Sequence, residues 1–147
     1  MDGNPLLIVH LLCATLFFGI VAFEVLILEG IRPFLPAATM TLVEQGIHTR
    51  GRKVMPWVVG LLFASGIAMA VLHFDAMDWK VWHTSFGVLL TVKIALALSV
   101  LVHFLLALKH SICGSMTSKR FKYTHLSVFA HMVAILVLAK SLYGVGW

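Results

Sequence analysis

The sequence predicts an all-α membrane protein, a four-transmembrane-helix bundle with both termini on the outer, periplasmic side. Three observations carry this. Of the 147 residues, 61% are apolar and only 12% are charged, a balance that belongs in lipid rather than water. Four apolar stretches, residues 5–28, 54–74, 81–108 and 121–142, are each long enough to cross about 30 Å of hydrocarbon as a helix. The basic residues also fall in alternate connections. Arg32, Arg50, Arg52 and Lys53 lie between spans one and two, and Lys109, Lys119, Arg120 and Lys122 between spans three and four, whereas residues 75–80 hold two acids and one base. That asymmetry places the two basic connections in the cytoplasm of a multi-pass protein of the bacterial inner membrane. The same distribution turns the formal charge of +5 away from a nucleic-acid reading and toward the lipid bilayer as the first partner. Residues 1–147 form one transmembrane domain on this reading.

Span one is preceded by Asp2 and by no basic leader, so it is expected to be a retained span rather than a secretion signal. His10, Phe17, Val21 and Glu24 follow one another at steps of seven, four and three, which puts them on one stripe facing the bundle. In the following segment Thr41 and Glu44 have capping-box spacing, consistent with a short interfacial helix or a plain connector. Span two places Pro56 near its first turn, where proline is tolerated, and carries Gly60, Ala64 and Ala68 four apart as a surface for close helix approach. Trp79 and Trp82 bracket the outer loop as interfacial aromatics. Span three carries His83, Lys93 and His103, and span four carries His125, His131 and Lys140. Cys13 and Cys113 fall at different depths, so both are expected as free thiols.

Ionisable groups inside a membrane are costly and point to function. Sorted by depth they form two sets. Toward the outer side lie His10, His73, His83 and Lys140; toward the inner side lie Glu24, His103, His125 and His131; Lys93 falls between. Histidines at matched depth on separate helices are what a buried haem requires, since two imidazoles must reach the iron from opposite faces of the macrocycle. One haem b is expected with His10 and His73 or His83 as ligands, and a second with His103 facing His125 or His131. Lys140 is suited to a propionate. The candidate metal ligands are accordingly His10, His83, His103 and His131. The competing expectation is structural: solvated histidines at the interfaces, and interhelical hydrogen bonds for His10, His103 and His131. Lys93 has no acid at its own depth, so it is the candidate for handling a substrate carboxylate or a proton. Copper is the rival metal, since the seven methionines, Cys13 and the histidines include soft donors, with Met77 between His73 and His83. The methionines form no array, and most read as core filler. No nucleophile elbow, phosphate loop, dinucleotide fingerprint or CxxC motif is present.

The chain resembles the CopD-like membrane superfamily, which includes the HemJ-type protoporphyrinogen oxidases. The resemblance rests on His10, Phe17 and Gly19 in span one, on Arg50, Arg52, Ser65 and Gly66 around span two, on Phe86, Gly87, Leu89, Leu90 and Lys93 in span three, and on Lys140 in the run VLAKSLYG. Phe17 stands where the family usually has Trp, and the Trp-x-His-x-Lys run of the HemJ type is absent, Trp82 and His83 lying ten residues before Lys93. The resemblance implies four helices and marks His10 and Lys93 as the functional positions. Its HemJ branch implies haem b, oxidation of a porphyrinogen and transfer of electrons to a quinone or other membrane acceptor. Its CopD branch implies copper handling. The expected function is thus a haem-binding, cytochrome b-like electron-transfer protein or oxidoreductase, the alternatives being a copper transporter or resistance component, or the anchor subunit of a respiratory complex. A homodimer or a respiratory-complex partner fits these expectations.

Overall fold

The computed structural model describes residues 5–74, 84–115 and 117–144, and among them every regular element is helical. The first helix runs over Pro5–Ala22, passes through a π-helical segment at Phe23–Leu28, and ends in short turns at Glu29–Ile31 and Arg32–Phe34. The second spans Ala37–Phe74, the third Ser85–Ile112 and the fourth Ser118–Gly144. All four are long and apolar enough to cross a membrane.

Their surfaces are apolar nearly all the way round, which is the condition for standing in lipid. Leu12, Leu26, Trp57, Leu61, Ile67, Val88 and Val137 are among the large apolar side chains left exposed. The interior is correspondingly small. Phe17 and Val21 from the first helix, Val58 and Val59 from the second, Val100 from the third, and Val128 and Met132 from the fourth make one buried cluster. Phe17 meets Phe104 edge-on at 6.4 Å, and Phe18 stacks on Phe129 at 5.8 Å. The stripe expected on span one is therefore present: Phe17, Val21 and Glu24 are all buried. Helices one and two form one closely packed pair and helices three and four the other. Helices one and four run antiparallel, so Pro5 and Gly144 lie at one end of the bundle and Arg32, Glu44 and Lys122 at the other.

The second helix departs from expectation. It is one continuous rod of 38 residues, about 57 Å long and hence far longer than the hydrocarbon layer. Hydropathy marks only the part inside lipid; the polar first turns are helical too, and extend the rod beyond it. Thr41 consequently caps nothing. It lies inside the helix and donates to the Ala37 carbonyl at 3.0 Å, while Glu44 serves a tertiary ion pair. Pro56 likewise stands in mid-helix rather than in a first turn. The close approach expected along Gly60, Ala64 and Ala68 is absent at Gly60, where nothing described lies within 4 Å of an added Cβ, and Ala64 is exposed. The tight contact is at Ser65 and Gly66, on the face that meets the first helix.

The third helix begins where Thr84 accepts a hydrogen bond from the Gly87 amide at 3.3 Å, an N-cap. It ends in a turn in which Gly114 adopts φ +66° and the Ser115 amide bonds back to the His110 carbonyl at 2.9 Å. That turn sends the chain into the fourth helix.

Candidate functional site

The ionisable residues sort into three separate sites along the bundle. At the end nearest Pro5, His10 lies against the second helix. Its Nδ1 is 3.0 Å from the Leu62 carbonyl and 3.3 Å from Ser65 Oγ. A carbonyl only accepts, so Nδ1 carries the proton and Nε2 keeps its lone pair. Ser65 is buried, and its hydroxyl is directed to the Leu61 and Leu62 carbonyls at 2.7 and 3.0 Å. Gly66 supplies the seat: a Cβ there would meet His10 Cε1 at 3.1 Å. This arrangement, one ring nitrogen pinned by a carbonyl and the other without a partner among the described residues, is the orientation protein scaffolds give to ligating histidines. Lys93 on the third helix is half-buried and within electrostatic range of His10. No acid or hydrogen-bond acceptor reaches it among the described residues. His83, together with the side chain of His73, lies outside the described residues, as do Met77, Trp79 and Trp82. Lys140 is exposed.

Deeper in the bundle, the third and fourth helices are clasped by a reciprocal pair of histidines. His103 Nδ1 donates to the Ser99 carbonyl of its own helix at 2.8 Å, and its Nε2 is 3.2 Å from Ser127 Oγ of the other. His131 repeats the pattern, with Nδ1 donating to the Ser127 carbonyl at 2.7 Å and Nε2 standing 3.1 Å from Ser99 Oγ. Each Nε2 therefore accepts from a serine hydroxyl across the interface. The rings lie 5.4 Å apart, with Val100 and Val128 buried beside them. A legible signal existed: Ser99 to His103 and Ser127 to His131 share the pattern Ser-Val-x-x-His, which places serine one turn before histidine on each antiparallel helix. As placed, this pair does not fit a haem between its rings, because both nitrogens of each imidazole are already bonded to protein. The geometry is the interhelical hydrogen-bond arrangement. Ser99→Ala and Ser127→Ala should each cost about 0.5–1.5 kcal/mol, and nearly equal amounts given their matched geometry, in unfolding titrations of the detergent-solubilised protein. A loss at only one of the two would contradict the reciprocal assignment.

The third site holds Glu24 and His125. Glu24 sits in the π-helical segment, a distortion often associated with function, and is buried. His125 Nε2 approaches Glu24 Oε2 to 2.9 Å, although that oxygen receives no well-aligned hydrogen bond. His125 Nδ1 donates to the Phe121 carbonyl at 2.8 Å. A lone pair facing a carboxylate oxygen at that distance would be repulsive, so a proton is held between the two groups. His48 packs edge-on against Phe121 at 4.8 Å rather than standing in solvent. Just beyond, Arg32 donates to Glu29 at 3.0 and 2.6 Å and to Glu44 at 2.6 Å, Ser118 donates to Glu44, and Lys122 stands 3.5 Å from Glu29. This network ties the ends of three helices together, and sequence reasoning missed it. Its visible trace was the Glu29 and Arg32 pair three residues apart.

Depth thus grouped Glu24, His103, His125 and His131 together, while the structure divides them into two pairs on different faces. Among the described residues no three His, Cys, Asp or Glu side chains converge to hold a metal ion. Cys13 and Cys113 are free thiols. No protein-family model, curated protein or solved structure matches this chain.

Proposed function

We propose that this protein is a haem b-binding electron carrier or oxidoreductase of the bacterial inner membrane, with its site at the His10 end of the bundle. The observation that carries the reading is His10 itself. Its Nδ1–H is fixed by the Leu62 carbonyl and its ring is seated on Gly66, which leaves Nε2 as a preoriented donor. The resemblance of His10 and Lys93 to the CopD-like pattern adds support. His73 or His83 would supply the opposite ligand. Haem b, when bound, would accept and release one electron at a time. Lys93, a half-buried cation without an acidic partner among the described residues, would neutralise a propionate or orient a substrate carboxylate. On this proposal the end carrying the basic connections faces the cytoplasm, as their charge favours, and electrons would enter or leave near the periplasmic face, with a quinone or another membrane acceptor as partner.

The purified protein should show a Soret band and a dithionite-sensitive α band, and His10→Ala should abolish or shift them. Absence of porphyrin from well-folded protein would refute the proposal. Copper is a second reading, favoured by the free thiol of Cys13 one turn after His10. Stoichiometric copper without porphyrin in metal analysis would select it.

A further inference from the structure

A groove between the third and fourth helices, at the basic end, has no part in the site around His10. It encloses about 320 Å³ and is lined by His103, Leu106, Ala107, His110, Arg120 and Thr124. Its mouth is a set of donors. Arg120 Nη1 donates to His110 Nδ1 at 3.2 Å and to the Ser115 carbonyl at 3.5 Å, and Ser115 Oγ is 2.9 Å from the same His110 nitrogen. A guanidinium only donates, so His110 Nδ1 is an acceptor and the neutral ring carries its proton on Nε2. Thr124 stands one turn after Arg120, and its hydroxyl has no protein partner among the described residues.

The acids of this end are engaged elsewhere. Glu29 and Glu44 hold Arg32, and Lys122 leans on Glu29. No described carboxylate reaches Arg120. The groove therefore offers a guanidinium, an imidazole N–H and a hydroxyl with no counter-ion. His110 and Arg120 are each two residues from a helix end, about 3 Å along the axis, at the level of the headgroups. Farther into the bundle the wall turns apolar at Leu106 and Ala107, and His103 below them is already bonded at both ring nitrogens.

We propose that this groove binds one anionic phospholipid, its phosphate held by Arg120, His110 and Thr124 and an acyl chain lying along Leu106 and Ala107. Basic pockets between membrane helices suit such headgroups. A zwitterionic lipid fits less well, because its own cation would meet Arg120 and find no carboxylate.

The test uses the full-length protein in detergent, with bound lipid counted by native mass spectrometry and by the rise in thermal unfolding temperature. Dioleoyl phosphatidylglycerol should bind saturably at one per chain. Arg120→Gln should weaken it about tenfold and Thr124→Val less, as expected for loss of a charge-assisted and a neutral hydrogen bond. Lys119→Gln, an equal change of charge beside the groove, should leave binding unchanged. Equal binding of dioleoyl phosphatidylcholine would overturn the proposal, as would competition by inorganic phosphate at equal concentration, or equal losses in the Arg120 and Lys119 variants. Should Arg120→Gln fail to fold, Arg120→Lys, which keeps the charge and loses the fork, provides the same reading: weakened binding supports the site, and unchanged binding with Thr124→Val also silent overturns it.

Discussion

Replacing His125 with leucine should destabilise the bundle by about 3–5 kcal/mol, because it strands a buried carboxylate. Glu24 is 4% exposed, and its Oε2 has no contact other than His125 among the described residues that would hold a charge there. Remove the imidazole and the carboxylate is left without a partner in an apolar setting, which costs free energy. Glu24→Gln should cost less, and adding Glu24→Gln to His125→Leu should recover part of the loss. Denaturant or SDS unfolding titrations of the four proteins in detergent would measure this cycle. If His125→Leu unfolds like the parent protein, or if the double variant is worse than His125→Leu alone, the buried ion pair is not what stabilises this end.

The existence of four helices and the inward stripe of the first were legible, because apolar length and helical period report on lipid contact and facing directly. The polar pairings were not. Hydropathy gives depth along the membrane normal but not rotation about each helix, and rotation decides that His103 meets Ser127 and His131 meets Ser99 while His125 turns to Glu24. The π-helical segment adds to the difficulty, since from Phe23 onward a 3.6-residue extrapolation falls out of phase. The basic ends of the helices were obscured for another reason. Polar turns beyond the lipid look like loops by hydropathy, so the continuation of the second helix back to Ala37 and the role of Glu44 as a partner of Arg32 left no apolar signal. The Ser65 and Gly66 pair was visible, but only as part of a resemblance. Its physical meaning, a seat for His10, required the contact itself.

That seat provides the second large effect. At Gly66 a Cβ would lie 3.1 Å from His10 Cε1 and 3.4 Å from Nδ1, and among the described residues nothing else outside its own stretch of helix comes within 4 Å. Alanine should push the imidazole by a few tenths of an ångström and lengthen its bond to the Leu62 carbonyl, whereas valine, with two further methyl groups, should evict the ring. The global cost of the overpacking should be modest, about 1–3 kcal/mol, because the ring is a side-chain end that can rotate toward lipid. The local consequence should be far larger: Nδ1 loses its carbonyl, the tautomer is no longer fixed, and Nε2 no longer points where a ligand would need it. On the haem reading, Gly66→Val should thus mimic His10→Ala, losing or shifting the α band, while Gly66→Ala gives an intermediate spectrum and both keep the helical circular dichroism of the parent. Imidazole nitrogen shifts in protein carrying isotope-labelled histidine would report the same displacement whether or not a cofactor is bound. A Gly66→Val protein with unchanged His10 nitrogen shifts would show that the second helix does not orient His10, and would remove the observation on which the functional assignment rests.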